Sequence, residues 1–272
     1  MDPLQHNRRA WNRASTGGCV WSQPVDAATI ARARAGNWQV VLTPKLPVPR
    51  DWFGDLRGKD VLCLASGGGQ QVPVLAAAGA RVVSFDLSDE QLKKDREVTE
   101  REGLAVTCVQ GDMTDLGALR DSSFDLVFHP ASNAFVPDVR PVWRECHRVL
   151  RPGGELLAGF MNPLVFLFDD DDDDDEDEDE DEEGGAPAAD ASLVVKYRLP
   201  YADVEQLSEA QLRDKLQRED MLVYSHSLDA QIGGQIAAGF VITGFYEDRW
   251  FDDSWRLARH TPIAMATRAR RS

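Results

Sequence analysis

Between residues 59 and 160, short and continuously apolar runs alternate with helical patterns, and no other feature of the chain narrows its fold so far. The runs are VLCLAS (61–66), RVVSFD (81–86), AVTCVQ (105–110), FDLVFH (124–129) and ELLAGFM (155–161). A strand with one face in water alternates apolar and polar side chains. These runs do not, so each reads as a strand buried on both faces. Helical patterns occupy 70–78, 88–102 and 138–149 between them. Ser88 is placed as an N-cap with Gln91 three residues on, a capping-box pattern, and Gly103 as the stop. Alternating strand and helix units imply a parallel sheet, because each right-handed crossover lays its helix on a face. The expectation is an α/β fold: a doubly wound, mostly parallel sheet with helices on both faces.

The flanks read differently. Residues 1–58 hold four of the seven tryptophans, Trp11, Trp21, Trp38 and Trp52, and a proline-punctuated stretch, LTPKLPVPRDWF. A helix is expected there from an Asp26 cap to a stop at Gly36. The segment is expected to form an arm or lid packed through its aromatics on a body of residues 59–272. Within that body, 163–206 is an insertion carrying fifteen consecutive acids, Asp169 to Glu183, then the spacer GGAPAADAS. Like charges with no apolar surface to bury imply a disordered, solvated loop, with contact to a basic protein as the other option. Beyond it, LVVKYRL is a candidate strand, 208–219 a charged helix, and 228–238 a helix between a Ser227 cap and Gly239. FVITGFYED (240–248) and PIAMATRAR (262–270) read as closing strands.

The formal charge of −16 over 272 residues is mostly that one tract. Removing its fifteen acids from the 46 leaves 31 against 30 lysines and arginines. A body so nearly neutral offers no electrostatic footprint for nucleic acid. Cys19, Cys63, Cys108 and Cys146 lie far apart with no C-x-x-C pair, and Cys63 and Cys108 fall inside strand runs. Buried thiols in a reducing compartment are expected, rather than a disulfide framework or a metal site. No apolar h-region opens the sequence. The longest apolar stretch, Leu156 to Phe168, is thirteen residues broken by Asn162-Pro163, too short to span a bilayer. A cytoplasmic protein with no membrane partner is the expectation.

The first strand run breaks into ASGGG at 65–69, and an Ala-rich helical pattern follows. A glycine turn between strand and helix lets backbone approach a ligand and aims amide N–H groups at it. The pattern Ala65-x-Gly67-x-Gly69 lacks the third glycine of G-x-G-x-x-G, the spacing that serves a pyrophosphate. Asp86, seventeen residues past Gly69, ends the second strand where a carboxylate can accept from ribose hydroxyls. QGDMTDL then puts Asp112 and Met113 just after the third strand: an acceptor for an exocyclic amine and a thioether to pack on an adenine face.

With FDLVFHPAS at the end of the fourth strand and HRVLRPGGELLAGF leading into the fifth, the ordered set resembles the class I S-adenosylmethionine-dependent methyltransferases, of the methyltransferase domain 11 kind. The resemblance covers residues 59 to 161 and, more loosely, the closing strand pair. It implies a seven-stranded Rossmann-like sheet whose last two strands are an antiparallel pair, and S-adenosyl-L-methionine as cofactor. Ala65, Ser66, Gly67, Gly68 and Gly69 would hold its methionine part. Asp86 would hold the ribose with Leu87 beside the adenine, and Asp112 and Met113 would bind the adenine. His129 would face the transferable methyl. Cys63 stands where the family usually carries an acid reaching toward the cofactor's amino group, and Ala65 where it has its first glycine. The ammonium must then be met by backbone carbonyls, water or another side chain.

Methyl transfer from a sulfonium is an in-line displacement with a good leaving group already in place. Alignment is therefore the protein's main task, and a base is needed only if the acceptor must lose a proton. His129 is the candidate for that base, or else a hydrogen-bonded residue shaping the pocket. Ser132 and Asn133 follow on the same loop as candidate substrate contacts, and Tyr224 and His226 are candidates with capping or packing as the alternative. The His129-Pro130-Ala131-Ser132 loop is not the Asn/Asp-Pro-Pro-aromatic loop of an adenine amino-methylating enzyme. A small organic acceptor is expected to enter between the arm and the segment after the fifth strand, NPLVFLF with LVVKYRLPYAD. The alternatives are a methyltransferase-like cofactor-binding or interaction module without activity, and an RNA-modifying methyltransferase.

Overall fold

The computed structural model describes residues 1–168, 193–250 and 255–272. The acid tract at 169–183 and its spacer lie outside the described residues. Seven strands form one sheet: β1 (Asp60–Leu64), β2 (Arg81–Asp86), β3 (Val106–Gln110), β4 (Phe124–His129), β5 (Leu150–Met161), β6 (Phe240–Asp248) and β7 (Ala264–Arg271). Their order is β3-β2-β1-β4-β5-β7-β6. The first five are parallel, and β7 lies antiparallel to both β5 and β6. The doubly wound sheet with its antiparallel closing pair is thus the architecture expected.

The apolar runs inside the sheet serve two cores, whereas β3, expected to be buried on both faces, lies at the sheet edge and has no fully buried side chain, Cys108 included. In β1, Val61 and Cys63 enter one cluster with Val72 and Leu75 of α3 (Gln71–Ala77), while Leu62 and Leu64 enter the other with Val142, Trp143 and Cys146 of α5 (Arg140–Val149). All four β1 side chains are fully buried, which is why the run has no place for a polar residue. Helix α4 (Asp89–Glu102) is capped by the Ser88 hydroxyl, which accepts from Gln91 N at 3.2 Å, and stops at Gly103 with φ +63°. The Gln91 side chain does not close the expected box; its Oε1 accepts from Ser15 instead.

The first 58 residues begin with α1 (Pro3–Thr16), a helix absent from the sequence reading, whose N-terminus Asp2 caps by accepting from Leu4 N and Gln5 N. Helix α2 (Ala27–Arg34) starts at the expected Asp26 cap, with Thr29 N donating at 2.7 Å. In the second half, α6 (Asp203–Gln206) and α7 (Glu209–Gln217) precede a π-helical turn (Asp229–Gly233) running into α8 (Gly234–Ala237). Leu193–Leu199, expected as a strand, joins no sheet among the described residues; Lys196 N and Tyr197 N donate to Leu167 O. Among the described residues no helix is long and apolar enough to cross a membrane.

Candidate active site

After β3 the chain returns to the far side of β1, so the connections leaving β1 and β4 run in opposite directions. A crevice opens where they diverge, at the carboxyl ends of the two strands. It is a cavity of about 330 Å³. Its sheet-side wall is Ala65, Ser66 and Gly67 after β1, Asp86 and Leu87 after β2, and Asp112 and Met113 after β3. Three loops predicted separately from sequence are therefore brought to one cavity.

Asp86 is the most constrained group there. Its Oδ2 accepts from Gly67 N at 3.0 Å and its Oδ1 from Ser88 N at 2.9 Å. Burial pushes its carboxyl up to about 6, against the pull of those amides toward the charged form. Asp112 is held by its own turn, accepting from Thr114 N at 2.9 Å and Thr114 Oγ1 at 2.6 Å. Met113 is buried against the core of the α5 face. Ser66 Oγ, buried on the cavity wall, has the Cys63 thiol as a hydrogen-bond partner and no described oxygen or nitrogen partner.

The glycines face two ways. A Cβ on Gly67 would stand 2.8 Å from Gln91 Cβ, and one on Gly68, at φ +114°, 2.8 Å from the Trp21 carbonyl. Gly67 meets the cavity, whereas Gly68 and Gly69 do not line it and lie under the arm. Part of the glycine signal in the sequence thus records the arm's close approach rather than a ligand's. Gly69 N donates at 2.7 Å to Asp95 of α4, whose other oxygen accepts from Ser84 Oγ at 2.6 Å. Asp95 is fully buried, and burial pushes its carboxyl up to about 7. Nothing in the helix pattern of residues 88–102 singled it out.

His129 does not line the cavity. It is fully buried, its Nδ1 3.0 Å from Leu64 O and its Nε2 2.7 Å from the Asn133 side-chain amide. Both partners are oxygens, the Leu64 carbonyl at Nδ1 and Asn133 Oδ1 at Nε2, and burial favours the neutral ring, whose single N–H donates to one of them. The expectation that His129 faces the reacting centre is corrected accordingly: both ring nitrogens are spent inside the protein. Asn133 also contacts Gln231 at 3.0 Å and gives its carbonyl to His226 Nε2 at 2.9 Å. Neither it nor Tyr224 nor His226 lines the cavity. They form a layer behind the 130–136 loop, and of the four candidate substrate contacts only Ser132 reaches the wall.

The outer wall belongs to the arm. Leu4 and Trp11 of α1, Trp21, Leu42 and Pro44 close over the crevice, joined by Phe135 and Trp250. Trp11 meets Phe135 edge-on at 5.0 Å, and Trp21 meets Trp250 at 6.2 Å. Trp38 and Trp52 pack elsewhere, on Phe53 and Tyr246. The arm is tied to α4 by Arg8–Asp89, an ion pair of 2.5 Å, and by Lys94 Nζ, which donates to Ser15 O at 2.6 Å and to Ser22 O at 2.5 Å. The 163–168 segment, expected to line the entry, contributes nothing to the wall; Met161 just before it does. Among the described lining residues, Asp86 and Asp112 alone carry ionisable side chains.

Residues 62–158 match the profile of the methyltransferase domain family. The chain is 46% identical over 246 residues to the uncharacterized methyltransferase YbaJ of Bacillus subtilis, covering 90% of this chain and 91% of that protein. It is 31% identical over 127 residues to a ubiquinone biosynthesis O-methyltransferase of Pseudomonas aeruginosa, a match spanning 45% of this chain and 55% of that one. In structure it resembles an S-adenosylmethionine-dependent methyltransferase from Mesorhizobium loti with a TM-score of 0.59 at 20% identity, over 82% of this chain and 95% of the other.

Proposed function

The chain belongs to the S-adenosylmethionine-dependent methyltransferases, and on that premise we propose that the cavity binds the cofactor and presents its methyl group to a small, largely apolar acceptor. In this reading Asp86 accepts from the ribose hydroxyls, Leu87, Asp112 and Met113 flank the adenine, and the Ala65–Gly67 backbone meets the methionine portion, with Gly68 and Gly69 shaping the turn from behind. The observation that carries it is the convergence of three strand-end loops on one cavity with Asp86 at its centre. The donor set fits the group: the half-buried Asp86 carboxylate has lone pairs to spare, and the Ser66 hydroxyl on the wall is engaged, among the described residues, only by the Cys63 thiol.

The bound cofactor supplies an electrophilic methyl on a good leaving group. The chain's own residues supply alignment and a dry enclosure. Trp11, Trp21, Phe135 and Trp250 present apolar faces over the crevice, which supports a planar or aliphatic acceptor rather than a phosphate backbone. With His129 neutral and internally bonded, the acceptor's nucleophile relies on its own reactivity, and His129, Asn133 and His226 act by fixing the 130–136 loop. The match to the Pseudomonas relative covers about half of each protein, so its acceptor does not carry over. The arm acts as a lid in this reading.

Calorimetry with S-adenosylhomocysteine tests the proposal. The wild-type chain is expected to bind, Asp86→Ala to weaken binding by at least tenfold through loss of a charged acceptor, and a folded His129→Asn variant to stay within about threefold of wild type, since the ring touches no ligand. Absence of heat with the wild type, or a larger loss in His129→Asn than in Asp86→Ala, would overturn it.

A further inference from the structure

Asp95 is a carboxylate with no described reason to be buried. It lies in the middle of α4, fully enclosed, and accepts two hydrogen bonds, from Gly69 N and Ser84 Oγ. No described cation pairs with it directly; Lys94 beside it is turned to the arm's Ser15 and Ser22 carbonyls. The groups that act on it from the packed elements are Asp86 of β2, which opposes its charge, and Arg96 of α4, which favours it weakly. Its own charge reaches the thiols of Cys63 in β1 and Cys108 in β3, which burial chiefly, and Asp95 secondarily, keeps protonated. A fully buried carboxylate near the half-buried Asp86 costs stability, and single charges survive in such places where something repays them.

We propose that Asp95 is a positioning residue for the cofactor: it fixes the glycine loop through the Gly69 amide, and its negative charge, set behind the loop, favours a cationic ligand over a neutral one. The inference rests on the cofactor reading above. S-adenosylmethionine carries a sulfonium and an ammonium against one carboxylate, a net charge of about +1, and S-adenosylhomocysteine lacks the sulfonium, which leaves it neutral overall. A charge behind the loop therefore acts differently on substrate and product. Cys63, at the end of β1 on the same side, supplies no charge of its own, because its thiol is held protonated. Asp95 provides from α4 what that strand position does not.

The sign of the pH dependence follows. Asp95 protonates as pH falls through about 7 and Asp86 as it falls through about 6. Each protonation removes a negative charge, so affinity for the cationic cofactor rises with pH in two steps. Asp95→Asn keeps an acceptor for Gly69 N and can donate to Ser84 Oγ, and so removes the charge while preserving the contacts.

The experiment is isothermal calorimetry of both ligands from pH 5.5 to 8.5 on the wild-type chain, Asp95→Asn and Ser84→Ala. At pH 8 the Asp95→Asn variant should bind S-adenosylmethionine roughly five- to tenfold more weakly than wild type, the loss of one negative charge acting through the loop on a ligand of net positive charge. It should bind S-adenosylhomocysteine with less than about half that loss, and match wild type below pH 6, where Asp95 is already neutral. Ser84→Ala removes a bond that favours the carboxylate, so its upper step should move to higher pH, which keeps the proposal testable if Asp95→Asn folds poorly. Equal losses for both ligands at every pH would make Asp95 a structural residue only and overturn the proposal. So would a wild-type profile without the upper step, or one that Ser84→Ala leaves unmoved. If the wild-type chain binds neither ligand, the cofactor reading falls as well; if it binds both and Asp95→Asn matches it throughout, this inference alone falls.

Discussion

Ala65 turns the chain out of β1 at φ +48°, a left-handed conformation that an alanine adopts at a cost of about 1–2 kcal/mol. Its amide donates to Phe85 O at 2.7 Å, so the turn is pinned to β2 and cannot relax by shifting the loop. Ala65→Gly should therefore raise the unfolding free energy by about 0.5–1 kcal/mol, the relief of strain less the added freedom of the unfolded chain, measured by urea denaturation; a loss of stability would show that the methyl group's packing outweighs the strain. At this scale the sequence was readable where position alone defines the role. Asp86 ends β2 beside the switch in strand direction, where its carboxylate meets the crevice, whereas Asp248 at the end of β6 is spent on Thr43, Lys45 and Leu46. His129 also ends a strand, yet its ring turns back to Leu64 O, a choice made by packing that no spacing reveals. Asp95 sits in a helical pattern as one of many charges, and only its burial distinguishes it.

Among the elements, the strands inside the sheet are readable because they must be apolar on both faces, and the structure reproduces 81–86 and 124–129 to the residue; the edge strand 240–248 is also reproduced, though it buries one face only. LVVKYRL carries the same β-branched signal but pairs with no strand among the described residues. Helix α1 was overlooked although Asp2 and Pro3 form a cap and a first turn, because the tryptophans drew the reading toward an irregular arm. The arm's contact with α4 depends on Lys94, whose ammonium serves two carbonyls that terminate α1 and the following turn. Lys94→Met should release the arm locally without unfolding the sheet. Limited proteolysis is expected to cut within residues 1–25 about tenfold faster or more, with Tm changed by only a few degrees. Unchanged cleavage would mean that the aromatic contacts alone hold the lid.

For the whole molecule, the strand order places every loop that the sequence singled out at one end of the sheet. The jump from β3 back across β1 to β4 divides those loops around a single opening. Fold and cofactor wall were therefore legible together, because both follow from the order of strands. The outer wall was not: Trp21 and Trp250 are 229 positions apart, and their meeting over the crevice is a product of tertiary packing alone. In the proposed reading the same division holds for function, with the cofactor side in local motifs and the acceptor side in an arm that folds over from elsewhere. The most direct measurement is a crystal structure of the chain grown with S-adenosylhomocysteine. The account predicts ligand density in this cavity, with the ribose hydroxyls on Asp86, the adenine between Leu87 and Met113, and the sulfur facing the pocket beneath Trp11 and Phe135. Ligand bound elsewhere, or a cavity left filled by the arm at saturating ligand, would contradict it.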